Sequence, residues 1–393
     1  GLRAAALLGL CVGTAALRAG GRAAPQKTFR EPFMTYNVLA PTLSEIKRAE
    51  SEAKVPGSWR WPKVFRYIET AMKASAVIAL QEVAASWVKM PGGLADVFDG
   101  KGYAWRWVNS RVGVDFTGLV LAWPTAVYEW EVVHRLDLAS RIPEGGGLAQ
   151  ELVRNLATNL LLVDLFHKST SQLLTVATCE LPPIYRPKRD PVRPIAQEIH
   201  MSLVLDTLQN ISAELPAILM GDFSLSPRSP AYALAADGNE HAAKRLGALV
   251  EGLPPTRRMR SAYFECFGAE PAFTISWKNI AVTSDYIWMG DGVAAQECLR
   301  LPDRAVEWPL PNELEGSDHV PVVAMLEVGP PIGPVPMQAA GPADRDIAGA
   351  FTGLVQKWKT TERLEKLERM RAQQLSELTW LESDSESDSE SDD

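Results

Sequence analysis

Eight short apolar runs recur between residues 33 and 326: "FMTYNVLA", "AVIALQEV", "TGLVLAW", "LLLVDLF", "LLTVATCEL", "AILMGDF", "SDYIWM" and "VPVVAML". Most are bounded by turn residues and rich in β-branched or aromatic side chains, so they predict strands. Helical spacing appears between several of them. "PKVFRYIETAMKA" has Pro62 near its start and Val64, Phe65, Ile68 and Met72 at helical intervals. "PIAQEIHMSLVLDTLQNI" opens on Pro194, and "SPAYALAADG" predicts a short helix stopped by Gly238. Strands and helices mixed along one chain, without a repeat, predict an α/β (α+β) sandwich.

The pattern changes at both ends. Residues 1–24 carry arginine but no acid, and the apolar run from Ala4 to Leu17 is too short to span a membrane. This has the character of a signal or transit peptide, which would address the chain to the secretory route or to a mitochondrion or plastid. A disordered or anchoring N-terminus on a cytoplasmic protein is the alternative. The folded body is expected over residues 29–328, with no transmembrane span in the mature chain. Beyond it lie a Pro/Gly-rich linker (329–345), an amphipathic helix (346–380) and an acidic disordered tail (381–393). The helix and tail are candidates for contact with a protein partner.

Composition adds little until charge is located. The 393 residues are 46% hydrophobic and 22% charged, an ordinary globular balance. The net charge of −8 comes from the tail: from Glu377 onward there are eight acids and no Lys or Arg, leaving 40 basic and 40 acidic residues elsewhere. A broad basic face for nucleic acid is therefore not predicted, and no DNA-specific motif appears. A site reading one or two phosphates is compatible with this balance. The four cysteines, Cys11, Cys179, Cys266 and Cys298, lie far apart with no CxxC, which suggests neither a zinc site nor a disulfide framework.

Polar groups stand at the ends of the apolar runs: Asn37, Glu82, Asp222, Asp285 and the pair Asp318-His319. One carboxylate after a strand is ordinarily a turn residue or a helix cap. Five such points, if the strands align, converge on one rim of a sandwich. A cluster of carboxylates and an amide oxygen repels itself unless a hard cation sits among them, and oxygen ligands favour Mg²⁺ or Mn²⁺ over zinc. His319 beside Asp318 would be oriented by a carboxylate and bind or protonate a phosphate oxygen.

"TYNVLA", "LQEV", "GDF", "SDYIW" and "SDHVPVVA", in that order, resemble the endonuclease/exonuclease/phosphatase superfamily. "ILMGDFSLSPRSPAYALAADG", "PLPNELEGSDHVPVVAMLEV" and "PAFTIS" resemble its branch of carbon-catabolite-repression-type deadenylases, nocturnin, Angel proteins and 2′-phosphodiesterase. The resemblance covers about residues 29–328. It implies a DNase I-like, four-layer sandwich of two mixed β-sheets flanked by helices. It implies Glu82 as the principal Mg²⁺ (or Mn²⁺) ligand with Asn37 beside it. Asp222 would handle the attacking water, Asp285 would support the site, and Asp318 would hold His319 against the scissile phosphate. The implied reaction is in-line hydrolysis of a phosphodiester, foremost 3′→5′ shortening of poly(A) at an RNA 3′ end.

Two departures from the branch matter, one at Ser224 and one on the strand that carries Thr178 and Glu180. Ser224 stands where the branch has Asn, and losing such an amide donor costs about 2.7–4 kcal/mol of transition-state stabilisation. Thr178 and Glu180 stand where it has Asn and His, and Glu180 would turn a negative charge toward a negative substrate unless it binds metal, is protonated or points away. Arg193 and Gln197 keep the branch's spacing, and Ala76 replaces an Asp without evident chemical consequence. These departures imply altered activity and leave two alternatives: a degenerate member that binds RNA or nucleotide, or a hydrolase of small phosphoesters such as 2′–5′ oligoadenylate or dinucleotides. Arg186, Lys188, Arg189 and Arg193 form the densest basic stretch, a phosphate-contacting or merely solvated loop. Trp105, Trp107, Phe116 and Trp277 are base-stacking or core aromatics.

Overall fold

The computed structural model describes residues 28–43, 57–109, 117–142, 148–155, 158–182, 192–212, 215–238, 258–277, 280–302, 310–312 and 314–329. The expected leader, linker, C-terminal helix and tail lie outside the described residues, apart from Gly329. So do Arg186, Lys188, Arg189, Phe116 and the side chain of Arg193.

The first strands are β1 (Phe29–Asn37), β2 (Val77–Ala84), β3 (Tyr103–Asn109), β4 (Thr117–Pro124), β5 (Tyr128–Asp137), β6 (Asn159–His167) and β7 (Gln172–Glu180). They are followed by β8 (Ala217–Asp222), β9 (Arg260–Ser261), β10 (Ile275–Trp277), β11 (Ile280–Val282), β12 (Asp285–Met289), β13 (Val293–Cys298) and β14 (Val322–Val328). The helices are α1 (Gly57–Lys73), α2 (Ala85–Lys89), α3 (Leu94–Gly100), α4 (Leu148–Asn155), α5 (Val192–Ser212), α6 (Pro230–Asp237) and α7 (Ala262–Phe267).

Two six-stranded sheets form, in the orders β13-β14-β1-β2-β4-β3 and β5-β6-β7-β8-β12-β9. Each is mixed: β1 and β2 run parallel, as do β7 and β8, while their other partners are antiparallel. Phe33, Val77, Leu121 and Leu326 of the first sheet pack against Leu161, Val176, Met220 and Ile287 of the second. The outer face of the first sheet buries Met34, Tyr36 and Ile78 under Val64, Tyr67 and Ile68 of α1. The outer face of the second buries Leu160, Leu219 and Trp288 under Ile199, Val204 and Leu208 of α5 and Leu234 of α6. Helices, sheet, sheet and helices make the expected four layers.

Strand periodicity positions the site. Side chains two apart share a face, so the inter-sheet positions run Phe33-Thr35-Asn37, Val77-Ala79-Gln81, Val176-Thr178-Glu180 and Ile218-Met220-Asp222. Each series is apolar at mid-strand and polar at its C-terminal end. On antiparallel β12 the polar residue comes first, Asp285 before Ile287 and Met289, and Asp285 lies opposite Asp222. Glu180 also lies opposite Asp222, across the parallel pair. One edge of the sandwich seam is thereby polar by construction.

Candidate active site

Two hydrogen bonds bridge the sheets at this polar edge. Asn37 Nδ2 donates to Asp222 Oδ2 at 2.9 Å, and Gln81 Nε2 donates to Thr178 Oγ1 at 3.0 Å. All four residues are buried. Gly221 lets β8 approach β7 closely enough: its φ is +159°, and a Cβ there would stand 2.1 Å from the Cys179 carbonyl oxygen. Asp222 Oδ1 accepts the Ser224 main-chain N–H at 2.8 Å. Gln197 of α5 then ties the rim together, donating to the carbonyls of Ser224 at 2.9 Å and Pro182 at 3.1 Å.

His319 enters from the loop before β14. Its Nδ1 donates to Asp285 Oδ2 at 2.9 Å, and its Nε2 lies 3.7 Å from Asp222 Oδ2 and 3.8 Å from Asp318 Oδ1. The carboxylate that orients the imidazole is therefore Asp285, not the expected Asp318, because a side chain seldom hydrogen-bonds its chain neighbour when a facing strand presents a better-placed oxygen. Asp285 is fixed in turn by Thr274 Oγ1 at 2.6 Å and Ser284 Oγ at 2.7 Å. Ser317 Oγ donates to the Asn37 carbonyl at 2.7 Å and accepts the His319 N–H at 3.2 Å.

Glu82 sits on a β-bulge. The pairing of β2 with β4 slips between Leu80 and Val83, and Glu82 takes φ 54°. A bulge re-aims a side chain; here Glu82 Oε2 accepts the Ala40 N–H at 3.3 Å, beside the end of β1. Leu39 and Ser224 also have positive φ, at 53° and 49°. Three strained non-glycine residues thus lie at one edge, where over-determined backbone commonly marks a working site.

Electrostatics follow from this crowding. Burial and the Asp285 charge push the Asp222 carboxyl up to about 6, against the pull of His319 and the hydrogen bonds from Asn37 and Ser224. Burial pulls the His319 imidazole down, but Asp285 and Asp222 together outweigh it and push it up to about 10. Ligand atoms of Asp222, Asp285 and His319 all lie within 4.8 Å of one another. Asp285 Oδ1 is buried with no hydrogen-bond partner among the described residues. An acceptor without a donor, beside further carboxylates, suits a hard divalent cation.

One contributor is not legible from the strand ends. Arg60 of α1 is buried, and its guanidinium donates to the carbonyls of Val38, Leu39 and Gly316, the last at 2.6 Å. It stacks over Trp87 at 5.3 Å and acts electrostatically on Asp318 and Glu82. The signal was present: Arg60 falls at helical spacing with Val64, Tyr67 and Ala71, on the apolar face. Gln81, Thr274 and Ser317 were likewise outside the expected set, and Thr178 entered it only as a departure from the branch. Trp105 and Trp107 pack partly buried on the outer core, donating to Asp99 Oδ1 and the Val83 carbonyl; Trp277 lies on β10.

Residues 34–319 match the endonuclease/exonuclease/phosphatase family. The chain belongs to that family. The chain's fold is similar to that in the crystal structure of ANGEL2, a 2′,3′-cyclic phosphatase, in complex with adenosine-2′,3′-vanadate (TM-score 0.61, 19% identity, 77% of this chain and 96% of that one). The human nocturnin catalytic domain with bound sulfate aligns at TM-score 0.53 and 19% identity over 76% and 93%. The Bacteroides thetaiotaomicron mannosyl-6-phosphatase Bt3783 aligns at 0.51 and 17% over 75% and 99%. No curated protein sequence matches the chain. The activities in the family's description share one reaction, hydrolysis of a phosphoester. Among the described residues, no helix is long and apolar enough to cross a membrane.

Proposed function

We propose that this chain is a divalent-metal-dependent phosphodiester hydrolase acting on the 3′ end of RNA, with poly(A) shortening as its first candidate activity. The observation that carries the reading is the convergence of Asn37, Asp222, Asp285 and His319 from both sheets onto one buried edge. Glu82, re-aimed by its bulge toward the end of β1, is the carboxylate assigned to hold Mg²⁺ or Mn²⁺, with Asn37 as the amide at that strand's end. The bound cation supplies Lewis-acid charge to the phosphate and lowers the pKa of its water.

The chain's own residues supply the rest. Asp222, with its carboxyl near 6, is a proton acceptor matched to neutral pH. Asn37 and the Ser224 N–H fix both its oxygens, so it presents one orientation. His319 carries a positive charge beside Asp285 and aims Nε2 into the site, where it donates to a phosphate oxygen as charge develops.

A second reading rests on Glu180. It is buried on the site-facing side of β7, opposite Asp222. A carboxylate there opposes a polyanion more than it opposes a compact ester with one phosphate, which favours a small phosphoester or a terminal phosphate group. A substrate panel separates the readings: labelled oligoadenylate with a 3′-hydroxyl, the same oligomer ending in a 2′,3′-cyclic phosphate, and 2′–5′ oligoadenylate, each with Mn²⁺, Mg²⁺ or chelator. Stepwise shortening of the first, abolished by chelator, supports the leading reading. Turnover restricted to the other two supports the second, and turnover of none by folded protein refutes both.

A further inference from the structure

The two sheets meet at their β9 and β13 edges, and α7 stitches that seam. The helix follows directly on β9 and packs against β13. Ser261 caps it, its Oγ accepting the Phe264 N–H at 3.3 Å. Glu265 accepts the Ala295 N–H of β13 at 3.0 Å and pairs with Arg260 at 2.5 Å. Arg260 donates to the Val293 carbonyl, and the Tyr263 hydroxyl accepts the Leu301 N–H at 3.1 Å. Among these ties Cys266 Sγ lies 2.7 Å from Cys298 Sγ. That is closer than two separate thiols ordinarily pack.

We propose that Cys266 and Cys298 are a disulfide pair that clasps the edge of one sheet to the edge of the other. Their separation of 32 positions gave no hint of pairing; the fold brings them together. Cys298 is buried at the end of β13, while Cys266 on α7 is half-buried and within reach of solvent. The proton that Cys298 shares with Cys266 and burial push the Cys298 thiol upward, so Cys266 is the sulfur that reacts first. The oxidant is a small-molecule disulfide. The Cys266 thiolate attacks one of its sulfurs, forming a mixed disulfide and expelling one small thiol. Cys298 then loses its proton and attacks Cys266 Sγ, expelling the second small thiol. Two electrons and two protons leave the protein, and one small disulfide becomes two thiols. The closed loop carries Thr274 and Asp285, so the clasp also braces the carboxylate that holds His319.

The full chain is incubated with oxidised glutathione or with dithiothreitol, alkylated after denaturation, digested and analysed by mass spectrometry. The expected result is a peptide pair linked through Cys266 and Cys298, two hydrogens lighter than the reduced pair, only in the oxidised sample. Cys179, buried in the core under α5, is alkylated in both. The oxidised form melts several degrees above the reduced form, and Cys266→Ser removes both the link and the difference. Cys298→Ser gives the same result from the buried side. Full alkylation of both thiols after glutathione treatment, a link to Cys179 instead, or identical melting of the two forms would overturn the proposal.

Discussion

Ser224 holds φ 49°, a left-handed conformation that Asn tolerates better than Ser. Its hydroxyl lies 3.4 Å from Asp222 Oδ1, a weak contact, while its main-chain N–H already makes the strong one. Ser224→Asn keeps the N–H, suits the backbone and adds an amide donor toward the substrate. It is expected to raise kcat by about 10²-fold without lowering the melting temperature, measured by steady-state hydrolysis and calorimetry; a fall in kcat contradicts it. The histidine partner is tested the same way. Asp285→Asn removes the charge at 2.9 Å from His319 Nδ1, whereas Asp318→Asn changes a group 3.8 Å from Nε2. Asp285→Asn is expected to cost at least about 10²-fold in kcat/KM, and more than Asp318→Asn; the reverse order contradicts the assignment. These residues were legible as a set because each ends an apolar run. Which carboxylate meets the imidazole was not, because it depends on how β12 and the loop before β14 approach in space.

Legibility divides sharply between interior and edge strands. The eight apolar runs are the eight interior strands: β14, β1, β2 and β4 of one sheet and β6, β7, β8 and β12 of the other. Interior strands here are covered on both faces, so their sequences read as continuous apolar runs. The four edge strands, β3, β5, β9 and β13, are less fully covered, with mostly part-buried positions in "YAWRWVN" and "VAAQEC", and gave no clear run. The short helices α2, α3 and α7 span two turns or fewer, too little for a periodic signal. The long α1 was legible, but its buried cation was not weighed. Arg60 joins the chain after β1 to the loop at Gly316, so Arg60→Leu leaves three carbonyls without their donor and Asp318 and Glu82 without a neighbouring positive charge. The expected loss is about 3–5 kcal/mol of stability by urea unfolding. Arg60→Lys recovers only part of it, because an ammonium cannot reproduce the planar fork. Wild-type stability in Arg60→Leu contradicts this bracing role.

At the scale of the molecule, stability depends on pH through a group far from the chemistry. His200 of α5 is buried against Thr158 at 3.1 Å, and burial holds its imidazole down at about 4. Unfolded, it titrates near 6.5. Between those values the unfolded chain binds a proton that the folded chain refuses at this site, so the His200 contribution to stability falls as pH drops from about 6.5 to about 4, by roughly 3 kcal/mol, against the raised Asp222 carboxyl, which acts in the opposite sense. Above about 6.5 the term vanishes. His200→Gln, which keeps a partner for Thr158, is expected to flatten that slope in urea titrations; an unchanged slope contradicts the assignment. The same architecture that hides His200 gathers Asn37, Asp222, Asp285 and His319 at one edge of the seam between the sheets, and hydrolysis there is the central proposal. Its most direct test is turnover of labelled adenylate oligomers, with 3′-hydroxyl and 2′,3′-cyclic phosphate ends, by wild type and Asp222→Asn in Mn²⁺, with folding verified by circular dichroism. Wild type is expected to turn over at least one of the two substrates, and Asp222→Asn to lose about 10³-fold or more. Equal rates from the two proteins, or no turnover by folded wild type, would contradict it.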